Sequence, residues 1–128
     1  MKKRVTGLGG FFFKTEDPDK IKEWYKDRLG IPTDQYGWTF WWRDEEGNKC
    51  STQWSPFKED TEYFKPSPKQ FMMNFRVENL VELLNVLKEE GVTIVGEMEE
   101  YDYGKFGWIL DPEGNKIELW EPKDSAFL

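Results

Sequence analysis

The sequence predicts an α+β fold: two βαβββ modules sharing one open, curved sheet, with a cleft inside the curve and helices on its outer face. Three observations predict it. A hairpin text occurs twice, as "DEEGNKCSTQWSP" from Asp44 to Pro56 and as "DPEGNKIELWEP" from Asp111 to Pro122. Upstream of each copy lies a segment with helix punctuation, "EDPDKIKEWYKDRLG" and "ENLVELLNVLKEEG". Each helix in turn follows an apolar strand-like run, "GLGGFFFK" and "QFMMNFRV". A repeated unit that cannot bury its own strand face must share a core with its copy.

The elements follow in order. The run 7–14 reads as a buried strand. Asp17 caps the first helix, Pro18 suits its first turn and Gly30 ends it. Ile21, Trp24, Tyr25 and Leu29 recur at helical spacing and define its apolar face. Only "IPTDQYG" is available for the second strand of this half. "YGWTFWWR" and "KCSTQWS" form a hairpin around the turn "DEEGN". The charged stretch 58–68, with two prolines, reads as the connection between modules. In the second half Asn79 caps a helix with Glu82 three positions on, and Leu80, Leu83, Leu84 and Leu87 make its inner face. "VTIVGEMEE", "KFGWIL" and "NKIELWE" complete the strands, and "DPEG" suits a type I turn. The expected organisation is one domain over 1–128: module one about 5–57, connection 58–68, module two about 69–122 and tail 123–128.

Composition narrows the function. The net charge is −7 and no segment concentrates Lys or Arg, which speaks against a nucleic-acid partner. Seven Trp and ten Phe in 128 residues exceed what a small core needs and suggest an aromatic-lined cavity. With one cysteine no internal disulfide forms, and no apolar run reaches the length of a membrane span. The start "MKKRVTGLGGFFFK" lacks a signal-peptide core. A cytoplasmic protein with no membrane partner is expected.

The segments "GGFFFKTEDPDKIKEWYKDRLGI", "MNFRVENLVELLNVLKEEGV" and "GWILDPEGNKIELWEP" resemble the vicinal-oxygen-chelate superfamily, which includes glyoxalases, extradiol dioxygenases and bleomycin-resistance proteins. The resemblance implies a His at the start of each module's first strand and a Glu on each final strand in metal-dependent members. Those positions fall here at Gly10, at Met72, near Ser51, Thr52 or Gln53, and at Glu118. Only Glu118 keeps a ligand type, and the chain has no histidine. A divalent metal needs several converging imidazoles or carboxylates, so neither a metal site nor another cofactor is expected. The superfamily holds both metal enzymes and metal-free binders, and the fold alone does not choose between them.

Strand alternation assigns faces. Ile117 and Leu119 belong under a helix, which turns Glu118 and Trp120 toward the cleft. If the turn pairs Asp111 with Asn115, Trp108 lies opposite Glu118 and Phe106 opposite Trp120. Met72, Asn74 and Arg76 point inward from one central strand, Phe12 and Lys14 from the other. In module one the turn and the Trp-Ser-Pro segment match their copies at spacings one residue apart, and one residue of slip reverses every face. Gln53 is the inward polar residue on the turn register, Thr52 on the later one. Tyr101 and Tyr103 belong to a loop at the cleft mouth.

The expected ligand-binding set is Phe12, Gln53, Met72, Asn74, Arg76, Trp108, Glu118 and Trp120. Several of these have a structural alternative, Met72 as core filler and Arg76 as a solvated strand-end cation. Glu118 is expected to pair with Arg76, or else with Lys14, or to be solvated; if neither cation reaches it, the aromatic walls raise its pKa and make it a candidate general base. The function expected is metal-free binding of a small aromatic or cationic molecule. The alternative is a glyoxalase- or dioxygenase-like enzyme (lyase, isomerase or oxidoreductase) with Glu118 as its catalytic group. A scaffold domain with a filled cleft is a third reading. A homodimer is expected by default.

Overall fold

The computed structural model describes residues 3–123 and residue 125; the rest of the expected tail lies outside the described residues. The elements run β1 (Val5–Thr15), α1 (Pro18–Leu29), β2 (Trp38–Arg43), β3 (Lys49–Lys58), β4 (Phe71–Val77), α2 (Leu80–Glu89), β5 (Thr93–Ile94), β6 (Glu99–Tyr101), β7 (Gly104–Leu110) and β8 (Lys116–Pro122). They form one α+β sheet in the order β2-β3-β1-β4-β8-β7-β5, with β6 paired to β7. The halves join through the antiparallel pair β1–β4, and each central strand also pairs in parallel with its own module's last strand, β3 or β8. The sheet is open, ending at β2 and β5. Residues of β2 and of β7 nevertheless line the same cleft. A flat sheet would hold those two strands about 24 Å apart at the usual strand spacing of about 4.8 Å, so the sheet curves around the cleft.

Both helices start as their caps dictate. Asp17 Oδ1 accepts from Lys20 N at 3.1 Å and Asn79 Oδ1 from Glu82 N at 3.1 Å. The α2 face packs as a leucine stripe should: Leu80 and Leu83, with Leu84 and Leu87 beside them, meet Val77, Phe75, Ile109, Ile117 and Leu119. Burying each such leucine contributes about 1.5–3 kcal/mol. The first helix departs from its sequence pattern. Trp24 and Leu29 are 51% and 59% exposed, while Tyr25 packs on Trp54 of β3 at 4.7 Å. Lys22 is buried instead, its stem on the protein and its ammonium donating to Gln35 O at 3.0 Å, as amphipathic side chains do.

Two strands differ from expectation. "IPTDQYG" forms no strand beyond a bridge between Asp34 and Gly37. Asp34 Oδ1 captures the amides of Tyr36 and Gly37 at 2.8 and 3.1 Å, a local turn that competes with a ladder. Gly37 has φ +124 and presses against the Trp54 carbonyl, leaving no room for a Cβ. "VTIVGEMEE" splits into β5 and β6 because Gly96 takes φ +69 between them. Among the described residues no helix is long and apolar enough to cross a membrane.

Candidate functional site

The cleft inside the curve has a volume of about 710 Å³. Its lining is mostly aromatic: Phe12, Trp38, Phe57, Tyr63, Phe106 and Trp120, with Tyr36 and Tyr103 as well. The polar lining is Thr39, Gln53, Ser55 and Asn74, and the charged lining is Asp34 and Glu118; no Lys or Arg is among these residues.

Glu118 is placed by the hairpin β7–β8, whose turn is locked by Asp111 Oδ1 accepting from Glu113 N and Asn115 N at 2.9 Å each. That register sets Trp108 opposite Glu118 and Phe106 opposite Trp120, as the turn predicts. The parallel pairing with β4 sets Asn74 beside Glu118. The carboxylate is 2% exposed and gathers three donors. Asn74 Nδ2 donates to Oε1 at 2.6 Å, Trp108 Nε1 to Oε2 at 2.9 Å, and the Tyr63 hydroxyl also donates to Oε2. Burial pushes the Glu118 carboxyl above its ordinary range, and these hydrogen bonds with the Lys116 ammonium offset that only in part. Burial and the neighbouring Glu118 charge likewise push the Tyr63 phenol up, so that it stays a neutral donor. Lys116 fixes this tyrosine: its ammonium donates to Tyr63 O at 2.7 Å and lies 5.3 Å from the Tyr63 ring. Desolvation lowers its own pKa.

The expected residues separate into two groups. Phe12, Gln53, Asn74, Glu118 and Trp120 line the cleft. Met72, Trp108 and Arg76 do not. Met72 is wholly buried with Phe12, Phe64 and Trp108, and Trp108 reaches the cleft only through its N–H on Glu118. The expected pairing of Glu118 with Arg76 or Lys14 is corrected. Arg76 donates to Ser51 O at 3.1 Å and stacks on Trp42 and Trp120 at 5.6 and 5.3 Å; Lys14 lies over Phe64 at 5.6 Å. Glu118 meets neutral donors instead because the parallel neighbour at its own level is Asn74, and Arg76 is level with Trp120.

The module-one position corresponding to Glu118 is also corrected. Phe12 precedes the Asp17 cap by the same spacing as Asn74 precedes Asn79, and Phe12 is level with Ser55 as Asn74 is with Glu118. Ser55, beyond Ser51–Gln53, therefore stands where the second carboxylate would be. The β2–β3 hairpin simply has a longer returning arm. Gln53 faces the cleft, and Trp54 packs on Phe13 and Tyr25 on the helix side.

Tyr63 and Phe64 were not expected at the site. They lie in the 58–68 connection, where the only signal was an aromatic pair inside a charged segment. Phe64 is fully buried, and Phe57 stacks on Tyr63 at 5.8 Å.

The donor set does not fit the divalent metal of metal-dependent relatives. Gly10 offers no side chain, Met72 only a thioether sealed in the core, and Ser55 only a hydroxyl. Glu118 already accepts three hydrogen bonds. Among the described residues no group of three or more His, Cys, Asp or Glu comes together.

A sheet of two repeated modules around an aromatic-lined cleft defines a two-module α+β cleft fold. The sequence matches the Glyoxalase/Bleomycin resistance protein/Dioxygenase superfamily over residues 7–119, and the chain belongs to that superfamily. No curated protein matches it significantly. Solved structures of similar fold include methylmalonyl-CoA epimerase from Mycobacterium tuberculosis, 22% identical, covering 99% of this chain and 95% of that one, with a TM-score of 0.66. The Streptomyces coelicolor methylmalonyl-CoA epimerase in complex with 2-nitronate-propionyl-CoA is 13% identical, with coverage of 93% and 99% and a TM-score of 0.69. A superfamily member from Vibrio splendidus 12B01 is 12% identical, with coverage of 89% and 98% and a TM-score of 0.59. At these identities the likeness is one of fold.

Proposed function

We propose that the protein binds a planar aromatic organic molecule, cationic in preference to anionic, in the cleft between its modules, with no metal taking part. One observation carries this reading: among the described residues the cleft is lined by eight aromatic residues and two carboxylates, with no cationic side chain. Rings stack on rings and ring faces attract positive charge. A coenzyme A ester, the ligand of the epimerase complexes, carries phosphates that such a lining would repel. The test is a titration of tryptophan fluorescence with matched planar cationic, planar anionic and aliphatic compounds. Tightest binding of the cationic planar set supports the reading; equal response to all three, or tightest binding of the anionic set, sinks it.

A second reading is catalytic, and the buried Glu118 favours it. A carboxyl held above its ordinary range beside a cleft is suited to take a proton from a bound carbon acid. Its measure is deuterium uptake from solvent into a bound carbon acid, followed by NMR, with Glu118→Gln as control. Uptake that survives the substitution removes Glu118 from that role.

The same proposal treats 1–128 as one unit, cytoplasmic and paired as an isologous dimer. The rings of Phe11 and Phe71 stack at 6.3 Å on the helix side of the two central strands. Both remain exposed between the helices, on a surface that a second copy would cover.

A further inference from the structure

A smaller chamber adjoins the cleft. It has a volume of about 310 Å³ and is lined by Tyr63, Glu99, Tyr101, Tyr103, Phe106 and Trp108. Every described lining residue is an aromatic or a carboxylate. Tyr101 and Tyr103 stack at 5.4 Å, Phe106 stands 5.6 Å from Tyr103 at 67°, and Trp108 stands 6.2 Å from Tyr63 at 88°. The Tyr101 hydroxyl donates to Glu99 Oε2 at 3.1 Å, which holds the carboxylate beside the rings.

We propose that this chamber is a binding site for a quaternary or N-alkylated ammonium group. An unalkylated ammonium carries three N–H donors that need acceptors, and ring faces supply none; the acceptors on the described lining are Glu99, which already accepts from Tyr101, and the tyrosine hydroxyls. An alkylated ammonium has few or no donors to satisfy and spreads its charge over methyl groups that fit against ring faces. The local charge leaves room for it. Glu99 and Glu118 both act electrostatically on the Lys116 ammonium, and Glu99 is the carboxylate on the chamber wall. The Lys116 ammonium already lies 5.3 and 5.6 Å from the Tyr63 and Trp108 rings, so this part of the fold accommodates positive charge against aromatic faces.

Tyr63, Tyr103 and Phe106 line both the chamber and the cleft. A single molecule can therefore lay a planar body in the cleft and its ammonium head in the chamber. Only this last step rests on the reading of the cleft given above.

The chamber is tested alone with tetramethylammonium chloride, against neopentyl alcohol as a neutral probe of similar shape and potassium chloride as a salt control. Binding is read from the methyl proton shift and from tryptophan fluorescence, in the wild type and in Glu99→Gln and Tyr101→Ala. Both variants sit at the surface, and circular dichroism verifies their fold. Saturable binding of tetramethylammonium about tenfold tighter than of neopentyl alcohol is expected, weakened severalfold in each variant. Equal binding of the two probes overturns the proposal, as does unchanged affinity in a folded Glu99→Gln protein. The neutral planar compound 2-naphthol, run in parallel, separates the two readings. Binding of tetramethylammonium without naphthol defeats the cleft reading and keeps the chamber. Naphthol binding without tetramethylammonium does the reverse.

Discussion

Replacing Tyr63 with Phe removes one buried hydroxyl, the donor to Glu118, from the centre of the molecule. The ring keeps its stack on Phe57 and its edge contact with Trp108, and the backbone carbonyl still receives the Lys116 ammonium. The donor to Glu118 Oε2 is lost, from a carboxyl that is 2% exposed, together with the phenol oxygen's contact with the Trp108 side chain. The worth of that donor depends on the state of its acceptor. A hydrogen bond between neutral groups contributes about 0.5–1.5 kcal/mol, and one to a charged group about 1.5–3 kcal/mol. Because the folded carboxyl is raised above its unfolded value, largely by burial, Glu118 contributes stability that is full below the unfolded value. That contribution is lost as pH rises through the folded one. Tyr63 itself stays neutral throughout, its phenol being pushed further up. Tyr63→Phe is therefore expected to cost about 1 kcal/mol at acid pH and about 2–3 kcal/mol once Glu118 ionises. Urea unfolding followed by tryptophan fluorescence, across pH 4 to 9 as a rough range set by carboxyl titration, reads this directly. A cost that is the same at every pH, or below about 0.5 kcal/mol throughout, would refute the reasoning.

Three further predictions bear on the same site. A Cβ at Gly9 would collide with Asn74 Oδ1 and come within 3.0 Å of Trp120, so Gly9→Ala should cost about 1–3 kcal/mol by overpacking and weaken planar ligands; a stable variant with unchanged affinity would show that the Asn74 amide is free to move. Elemental analysis of the gently purified protein should find no stoichiometric zinc, nickel, manganese or iron, and one such ion per chain would contradict the donor-set argument. Light scattering at micromolar concentration should show a dimer that Phe11→Asp with Phe71→Asp dissociates; a wild-type monomer would refute the pairing.

What was legible in the sequence is what local chemistry decides. The two turns close with the same side chain: Asp44 Oδ1 accepts from Glu46 N and Asn48 N, as Asp111 does from Glu113 N and Asn115 N. With the turn fixed, alternation along β7 and β8 leaves one choice, and the Trp108–Glu118 pairing follows. The caps Asp17 and Asn79 fix both helix starts for the same reason. The module-one register was not legible. The level of Ser55 is set by the parallel pairing of β3 with β1, a contact between segments joined through a helix, a loop and a hairpin. No turn specifies it, so the hairpin repeat pointed to residues too early in the strand.

The donors around Glu118 were hidden for a related physical reason. A buried carboxylate must be satisfied, and the sequence offered Arg76 as the nearby cation. The register of β4 on β8 gives Arg76 to the rings of Trp42 and Trp120 and leaves Glu118 to Tyr63, Asn74 and Trp108. These three come from the connection, from β4 and from β7, and their convergence exists only when the whole sheet has formed. The segment 58–68 looks like a solvated linker because nine of its eleven residues are charged, proline, serine or threonine. Its remaining pair, Tyr63 and Phe64, is what closes the cleft floor: Phe64 fills the apolar cluster around Met72, and Tyr63 supplies a neutral donor to the carboxylate. The direct contacts of Glu118 are neutral donors, with the Lys116 ammonium acting on it without a direct bond, which leaves the cleft able to attract a cation. An arginine in that position would have removed the property on which the proposed recognition depends.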